Sequence, residues 1–178
     1  RIAFDISTVN TVLNYYANQI RLDYDDKGKI ARSGAISESL LNELNSLEYY
    51  STKHPKSLGF EFVKTTVLPL IEKQPLFLED KLRTFVEHIA IQTALALPKK
   101  TGRFLVTGGG AYNDFLIERI KHFLPEMTFE IPDDKTIQFK EALIFGLLGV
   151  LKLRNEINTL ASVTGAKHDH SSGKIYLP

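Results

Sequence analysis

The sequence predicts an α/β fold, and three observations predict it. A run rich in β-formers, Phe104 to Thr107, leads into Gly108, Gly109 and Gly110. Apolar residues then fall at Leu116, Ile120 and Phe123 on one helical face, and a second strand-like run follows at Met127 to Ile131. Strand, glycine turn, helix and strand in that order make a crossover unit. Glycines at such a turn remove Cβ atoms, permit positive φ and leave amide N–H groups at a helix N-terminus, where a phosphate or a nucleotide edge is well received. A tight turn that holds no ligand uses glycine as well.

The other elements follow in chain order. Arg1 to Phe4 is a short apolar run that reads as the middle or end of a strand, without an initiator Met, so a fragment of a longer protein is expected. Ile6 to Asn10 is the turn after it, and Val12, Leu13, Tyr16 and Ile20 then keep helical spacing over Thr11 to Ile20. Asp5, Ser7, Thr8 and Asn10 thus gather at a strand end and a helix start. Capping of free N–H groups accounts for one or two of them. The functional reading is that this turn faces the same cleft as the triglycine, because open α/β sheets bind ligands at the carboxyl ends of their strands.

Tyr24 to Gly34 is polar and punctuated by Gly28 and Gly34, a solvated loop by composition. Ser37 reads as a helix cap ahead of a Leu40, Leu41, Leu44 and Leu47 stripe. A second loop, Tyr49 to Gly59, carries Lys53, His54 and Lys56, which could meet an anion, although loops collect such residues without function. One helix carries Phe60, Val63, Val67 and Ile71, with Pro69 at its end or at a kink. Another carries Leu82, Phe85, Val86 and Ile89 and runs towards Pro98, with His88 as a packed structural residue. Helical pattern returns from Gln138 to Leu153, with Glu141 near its start. A carboxylate there is favoured by the helix dipole alone, and it is also the best candidate for recognising a hydroxylated substrate. In the tail, His168 and His170 lack a third ligand at metal-binding spacing, and Lys174 to Leu177 is strand-like.

Composition narrows the function classes. At 178 residues and 43% hydrophobic, the chain can bury a sizeable core, and a single domain is the expectation. The 22 Lys and Arg against 21 Asp and Glu leave no basic stripe for nucleic acid and no polybasic helix for a membrane surface. Cysteine is absent, which excludes disulfides and thiolate metal sites. No signal peptide and no apolar stretch of about 20 residues stands out, so a soluble, cytoplasmic protein is expected.

No phosphate-binding G-x-x-x-x-G-K-[ST], nucleophile-elbow, zinc-protease or EF-hand pattern occurs. The triglycine nearly makes a dinucleotide fingerprint, with Gly108 and Gly110 in the first two glycine positions and Asn113 where the third belongs. Glu130, about 20 residues on, would then be the ribose-binding acid. The long helical segment ahead of the fingerprint suits that reading poorly.

Taken in order, Phe4-Asp5, Asn10, Tyr24-Asp25-x-x-Gly28, Ala31-x-Ser33-Gly34, Leu40-Leu41, Pro55-Lys56-Ser57-x-Gly59-x-Glu61-Phe62, Gly108-Gly-Gly-Ala-x-Asn113, Glu141-Ala142 and Ala161-Ser-Val-Thr-Gly-Ala166 resemble the C-terminal lobe of the anhydro-N-acetylmuramic acid kinases from one end of the chain to the other. The resemblance implies a ribonuclease-H-like, actin-like ATPase lobe, a mixed sheet with flanking helices. It also implies a kinase that uses ATP and Mg2+ to phosphorylate anhydro-N-acetylmuramic acid from cell-wall recycling while water opens the anhydro bridge. Residues 1–178 would be a single nucleotide-binding lobe, with the sugar and ATP as its partners and a homodimer left open.

On that resemblance Gly108, Gly109, Gly110 and Asn113 lie against the nucleotide, Asp5, Ser7, Thr8 and Asn10 face its phosphates, and Glu141 meets the sugar. No catalytic residue and no metal ligand is assigned, because the family's base comes from the N-terminal lobe. One departure stands out: the family's turn after Phe-Asp resembles Thr-Gly-Pro-Gly-Asn, whereas this chain has Ile6-Ser7-Thr8-Val9-Asn10. Loss of both glycines removes room for a phosphate. Either the Ser7 and Thr8 hydroxyls replace the lost donors, or this member binds nucleotide or sugar without transferring phosphate.

Overall fold

A computed structural model describes residues 1–176. The chain divides into two compact units. One comprises Asp5–Thr52 and Leu58–Pro132; the other comprises Arg1–Phe4, Lys53–Ser57 and residues 133–176. The expected mixed α/β composition is borne out.

In the larger unit, α1 (Asn10–Gln19) buries Val12, Leu13, Tyr16 and Ala17 and leaves Ile20 beyond its end, exposed. The segment expected to be a solvated loop is instead ordered: a 3-10 turn (Asp26–Gly28) feeds α2 (Lys29–Ser33). The cause is Asp25, buried, whose two carboxylate oxygens accept from Ile30 N and Ala31 N at 2.9 Å each. It caps a helix too short to show periodicity. Ser37 caps α3 (Glu38–Asn45) as expected, accepting from Leu40 N, and Leu40, Leu41 and Leu44 are buried.

After α4 (Glu48–Ser51), α5 (Phe60–Phe62) continues through a π-turn (Val63–Val67) into α6 (Leu68–Glu72). The widened turn lies just ahead of Pro69, which has no N–H to donate to the ladder, so the proline sits at an irregularity inside the helical run rather than at its end. The long α7 (Leu78–Ala96) is the axis of the core. Its Leu82, Phe85, Val86, Ile89 and Ala90 join Leu13 and Tyr16 of α1, Leu40 and Leu44 of α3, and Val63, Val67 and Ile71. Each large apolar side chain so buried contributes on the order of 1.5–3 kcal/mol relative to exposure.

β1 (Gly102–Leu105) starts two residues before the expected Phe104, and Val106 N still donates to Glu130 O at 2.9 Å. α8 (Asp114–Phe123) crosses over to β2 (Met127–Glu130), and the strands pair in parallel with Phe104 opposite Phe129. Phe115, Leu116 and Ile120 of α8 pack into the same core.

In the smaller unit, Arg1–Phe4 does not form the expected strand: no strand partner pairs with it among the described residues, and Ile2 is exposed. α9 (Asp134–Leu153) begins before Gln138 because Asp133 caps it, accepting from Thr136 N at 2.7 Å. Its Phe139, Leu143, Phe145, Leu147 and Leu153 are exposed. A short α10 (Ala161–Thr164) follows, and Thr159 and His170 form an antiparallel bridge. Of the expected Lys174–Leu177 strand, Leu177 lies outside the described residues and Lys174 to Tyr176 are not in a strand. No helix among the described residues is long and apolar enough to cross a membrane.

Candidate functional site

The triglycine turn is built by backbone geometry. Gly108 adopts φ 79° and ψ −177°, which a side chain would strain. A 3-10 turn (Gly109–Tyr112) then closes through Ala111 N donating to Gly108 O at 3.0 Å and Asn113 N to Gly110 O at 3.2 Å. Asn113 caps α8, its Oδ1 accepting from Leu116 N at 2.9 Å. That oxygen is therefore committed, and the amide nitrogen is the donor left to a ligand.

A cavity of about 640 Å³ opens beside this turn. Gly109, Ala111, Tyr112, Asn113 and Asp114 line it on one side, Asn10, Leu13 and Asn14 of α1 on another, with Tyr24 to Lys27 and Ile131 completing the wall. Asn10 and Gly109 meet closely: a Cβ on Gly109 would lie 2.8 Å from Asn10 Nδ2. Lys27 reaches Asp114 at 3.6 Å and Lys29 pairs with Asp26 at 2.6 Å, both exposed pairs worth little on their own.

The loop Asp5 to Val9 is held from behind. Asp5 Oδ2 accepts from Leu58 N at 2.7 Å, and the Tyr49 hydroxyl donates to Asp5 O. Ser7 Oγ lies 3.1 Å from Thr8 O and 3.4 Å from the Tyr50 hydroxyl. Thr8 Oγ1 is buried with no hydrogen-bond partner among the described residues. None of Asp5, Ser7 and Thr8 caps α1, whose N-cap is Val9 with no side-chain bond. The local-capping explanation of these residues is thus corrected: Asp5 holds Leu58 N, Ser7 lies between Thr8 O and the Tyr50 hydroxyl, and neither they nor Thr8 meets an amide of α1. Of the residues singled out from the sequence, Asn10, Gly109 and Asn113 line the cavity together, with Gly108 and Gly110 framing the turn. Asp5, Ser7 and Thr8 belong to the loop leading into Asn10. Glu141 belongs to the other unit, exposed on α9.

Sequence reasoning missed Tyr24, Asp25 and Tyr112, which line the cavity, and Tyr49 and Tyr50, which hold the loop. The signal was the order Tyr-Asp-x-x-Gly at 24–28 and the paired tyrosines at 49–50, both inside stretches that composition marks as loop.

His88 has the packed structural role expected of it. It is fully buried, with Nδ1 2.7 Å from Asn45 Oδ1 and Nε2 2.7 Å from the Tyr50 hydroxyl. Burial pushes its pKa down to about 3. Because the folded value lies below the unfolded one, the stability it contributes is intact above about pH 6.5 and is lost as pH falls, when only the unfolded chain takes up the proton. From about pH 7 to about pH 5 the loss is expected to be about 2 kcal/mol. Urea unfolding at the two pH values should show that loss in the parent chain and less than about 0.5 kcal/mol of it in His88→Gln. Equal losses in both would assign the acid sensitivity elsewhere.

These features define a mixed α/β protein with a concave, partly polar site at a strand–glycine–helix crossover, where α/β enzymes hold small molecules. The chain belongs to the anhydro-N-acetylmuramic acid kinase family, whose model matches residues 1–178. The resemblance read from the ordered motifs is borne out. Among curated relatives, the chain is 28% identical over 191 residues to the anhydro-N-acetylmuramic acid kinase of Caldanaerobacter subterraneus subsp. tengcongensis, a match covering 99% of this chain and 48% of that protein. It is 31% identical over 183 residues to the enzyme of that name from Aliivibrio fischeri, covering 98% and 50%. With that from Hahella chejuensis it shares 31% over 181 residues, covering 98% and 49%. The chain spans about half the length of the curated relatives it matches.

Proposed function

We propose that this chain is the nucleotide-binding lobe, ribonuclease-H-like in fold, of a cytoplasmic ATP-dependent sugar kinase acting on anhydro-N-acetylmuramic acid. The observation that carries the reading is the cavity that Asn10, Gly109 and Asn113 wall together, in a chain matched along its whole length by the kinase family. Gly108 to Gly110 bring bare backbone to the nucleotide, and the Asn113 amide nitrogen donates to it. Asn10, with the Ser7 and Thr8 hydroxyls and Asp5 on the loop before it, faces the phosphates. Glu141 recognises the sugar. Bound Mg2+ would neutralise phosphate charge. The base that activates water comes from outside this chain.

Two features support the fit of a phosphorylated nucleotide. A Cβ at Gly109 would fill space beside Asn10, and Thr8 has a buried hydroxyl with no hydrogen-bond partner among the described residues. The dinucleotide alternative is disfavoured at its acid: Arg103 already grips Glu130 through Nε and Nη2 at 2.5 and 2.7 Å. A homologue that binds without transferring phosphate is the second reading, motivated by Ile6-Ser7-Thr8-Val9 in place of a glycine-rich turn.

The test uses the complete reading frame, incubated with ATP, Mg2+ and anhydro-N-acetylmuramic acid. A product heavier by phosphate plus water is expected; retained ATP binding without product would favour the second reading. ATP should also raise the thermal midpoint where NAD does not, since a ligand at about 100 times its Kd adds roughly 2.7 kcal/mol. Gly109→Ala should raise the KM for ATP about tenfold, equivalent to about 1.4 kcal/mol, with folding stability changed by less than about 1 kcal/mol. The small folding cost follows because the added methyl meets the end of a side chain that can swing away. An unchanged KM would remove the turn from the nucleotide site.

A further inference from the structure

Behind the Asp5 to Val9 loop runs a chain of polar groups, His88 and Gln92 buried and Asn45 and Tyr50 half-buried, that the proposed chemistry does not yet use. Gln92 Nε2 donates to Asn45 Oδ1 at 2.9 Å, and His88 Nδ1 faces the same oxygen at 2.7 Å. An oxygen that already accepts from an amide requires the ring to present N–H there, so Nδ1 carries the proton and Nε2 is the acceptor. The Tyr50 hydroxyl, 2.7 Å from Nε2, must then donate to it. Its lone pairs are left towards Ser7 Oγ at 3.4 Å.

Ser7 has one hydroxyl proton and two acceptors for it, Thr8 O at 3.1 Å and the Tyr50 oxygen at 3.4 Å. Both are long for an O–H···O bond, whose usual length is about 2.7–2.8 Å. A proton held so loosely goes readily to a stronger acceptor, and an anionic phosphoryl oxygen makes the short, charge-assisted kind of bond. The neighbouring Tyr49 hydroxyl donates to Asp5 O, so consecutive residues of α4 brace the loop on either side of Ile6. Tyr50 also packs edge-on against the His88 ring, centroids 4.9 Å apart, which fixes the hydroxyl's direction as well as its bond.

We propose that Tyr50, its oxygen fixed by the His88–Asn45–Gln92 network, is a positioning residue that holds the Ser7 side chain in the unliganded loop by accepting its proton, which turns to a phosphoryl oxygen when one arrives. This rests on the reading of the Asp5–Asn10 loop as the phosphate side of a kinase site. It gives that loop, which has no glycine between Asp5 and Asn10, a side-chain donor held by the core.

The experiment is a mutant cycle in the full-length protein: parent, Tyr50→Phe, Ser7→Ala and the double variant, each measured for kcat and KM for ATP and for amide hydrogen exchange over residues 6–10. Tyr50→Phe keeps the ring and its packing, so the fold survives. If Tyr50 acts through Ser7, each single variant lowers kcat about tenfold with KM changed less than about threefold, and the double variant loses no more than the worse single one. Exchange in the loop should quicken about tenfold in Tyr50→Phe. Multiplying losses would mean that Tyr50 and Ser7 act separately, and unchanged loop exchange would mean that Tyr50 does not hold the loop; either overturns the proposal. Quickened exchange in a protein whose parent form has no kinase activity would sink the kinase reading while leaving the loop-positioning role standing.

Discussion

Replacing Glu87 by alanine is expected to lower folding stability by about 3–5 kcal/mol, the cost of stranding buried charge. Glu87 is 4% exposed, in the middle of α7, and its carboxylate is gripped on both oxygens. Arg119 of α8 donates through Nη2 to Oε1 at 2.7 Å and through Nε to Oε2 at 2.8 Å, while Arg83, one turn back on α7, donates to Oε2 at 2.6 Å. Burial alone would raise the carboxyl's pKa, but the hydrogen bonds from Arg119 and Arg83 outweigh it and hold it below the usual carboxylate range. The group therefore stays ionised through neutral and mildly acidic pH.

Without it, two guanidinium groups less than one-fifth exposed face each other with no anion between them. Arg83 also stacks on the crossover helix, over Phe115 of α8 at 5.1 Å, so its displacement loosens α8 from α7, while Arg119 lies over Phe123 within α8 itself at 5.7 Å. Glu87→Gln, which keeps the shape and one acceptor, should lose less. The urea midpoint of each variant measures the difference, and a loss under about 1 kcal/mol for Glu87→Ala would show that water reaches the pair and screens it.

The legible parts of this fold are those whose pattern repeats within one element. α7 and α8 were readable from their stripes, α3 from Ser37 and its leucines, and the crossover from Phe104 to Ile131 as a whole. The 24–34 segment was not, because what orders it is one carboxylate, Asp25, reaching backbone amides five and six residues ahead in a helix of five residues. The Glu87 network was half legible: Arg83 and Glu87 have the i, i+4 spacing of a helical pair, but Arg119 arrives from another element.

The site divides in the same way. Glycine at 109 and asparagine at 10 and 113 announce a close backbone approach and its polar neighbours, and they do share a cavity. Besides Thr8 O beside Ser7, the partners of Asp5 and Ser7 are Leu58 N and the Tyr49 and Tyr50 hydroxyls, all more than 40 positions away, so local capping looked sufficient when it was not.

Alanine at Gly28 should cost about 3 kcal/mol or more and disturb the proposed nucleotide site at the same time. Gly28 sits at φ 71° directly after Lys27, itself left-handed at φ 59°, and this pair of residues turns the chain from Asp25 into α2. A side chain in that conformation is strained by roughly 1–2 kcal/mol before it touches anything. Here it would also touch something: the added Cβ would fall 2.3 Å from Asn113 Oδ1 and 2.6 Å from Phe115 Cβ. Phe115 is core and cannot yield cheaply, so the asparagine must move, and its bond to Leu116 N, worth about 1 kcal/mol as a cap, goes with it.

Gly108→Ala helps to separate the two costs, because Gly108 has nothing within 4 Å of an added Cβ, although at φ 79° and ψ −177° it lies outside the αL region of Gly28. It should lose only backbone strain, on the order of 1–3 kcal/mol in a region reserved for glycine. Because αL is no more strained than that region, any excess for Gly28→Ala in urea unfolding is a lower bound on the overlap with Asn113 and Phe115. Because Asn113 lines the cavity, Gly28→Ala should also weaken ATP binding about tenfold or more under conditions where the variant remains folded. Equal losses from the two alanines, with ATP affinity intact in Gly28→Ala, would mean that Asn113 relaxes freely and that its cap does not fix the site.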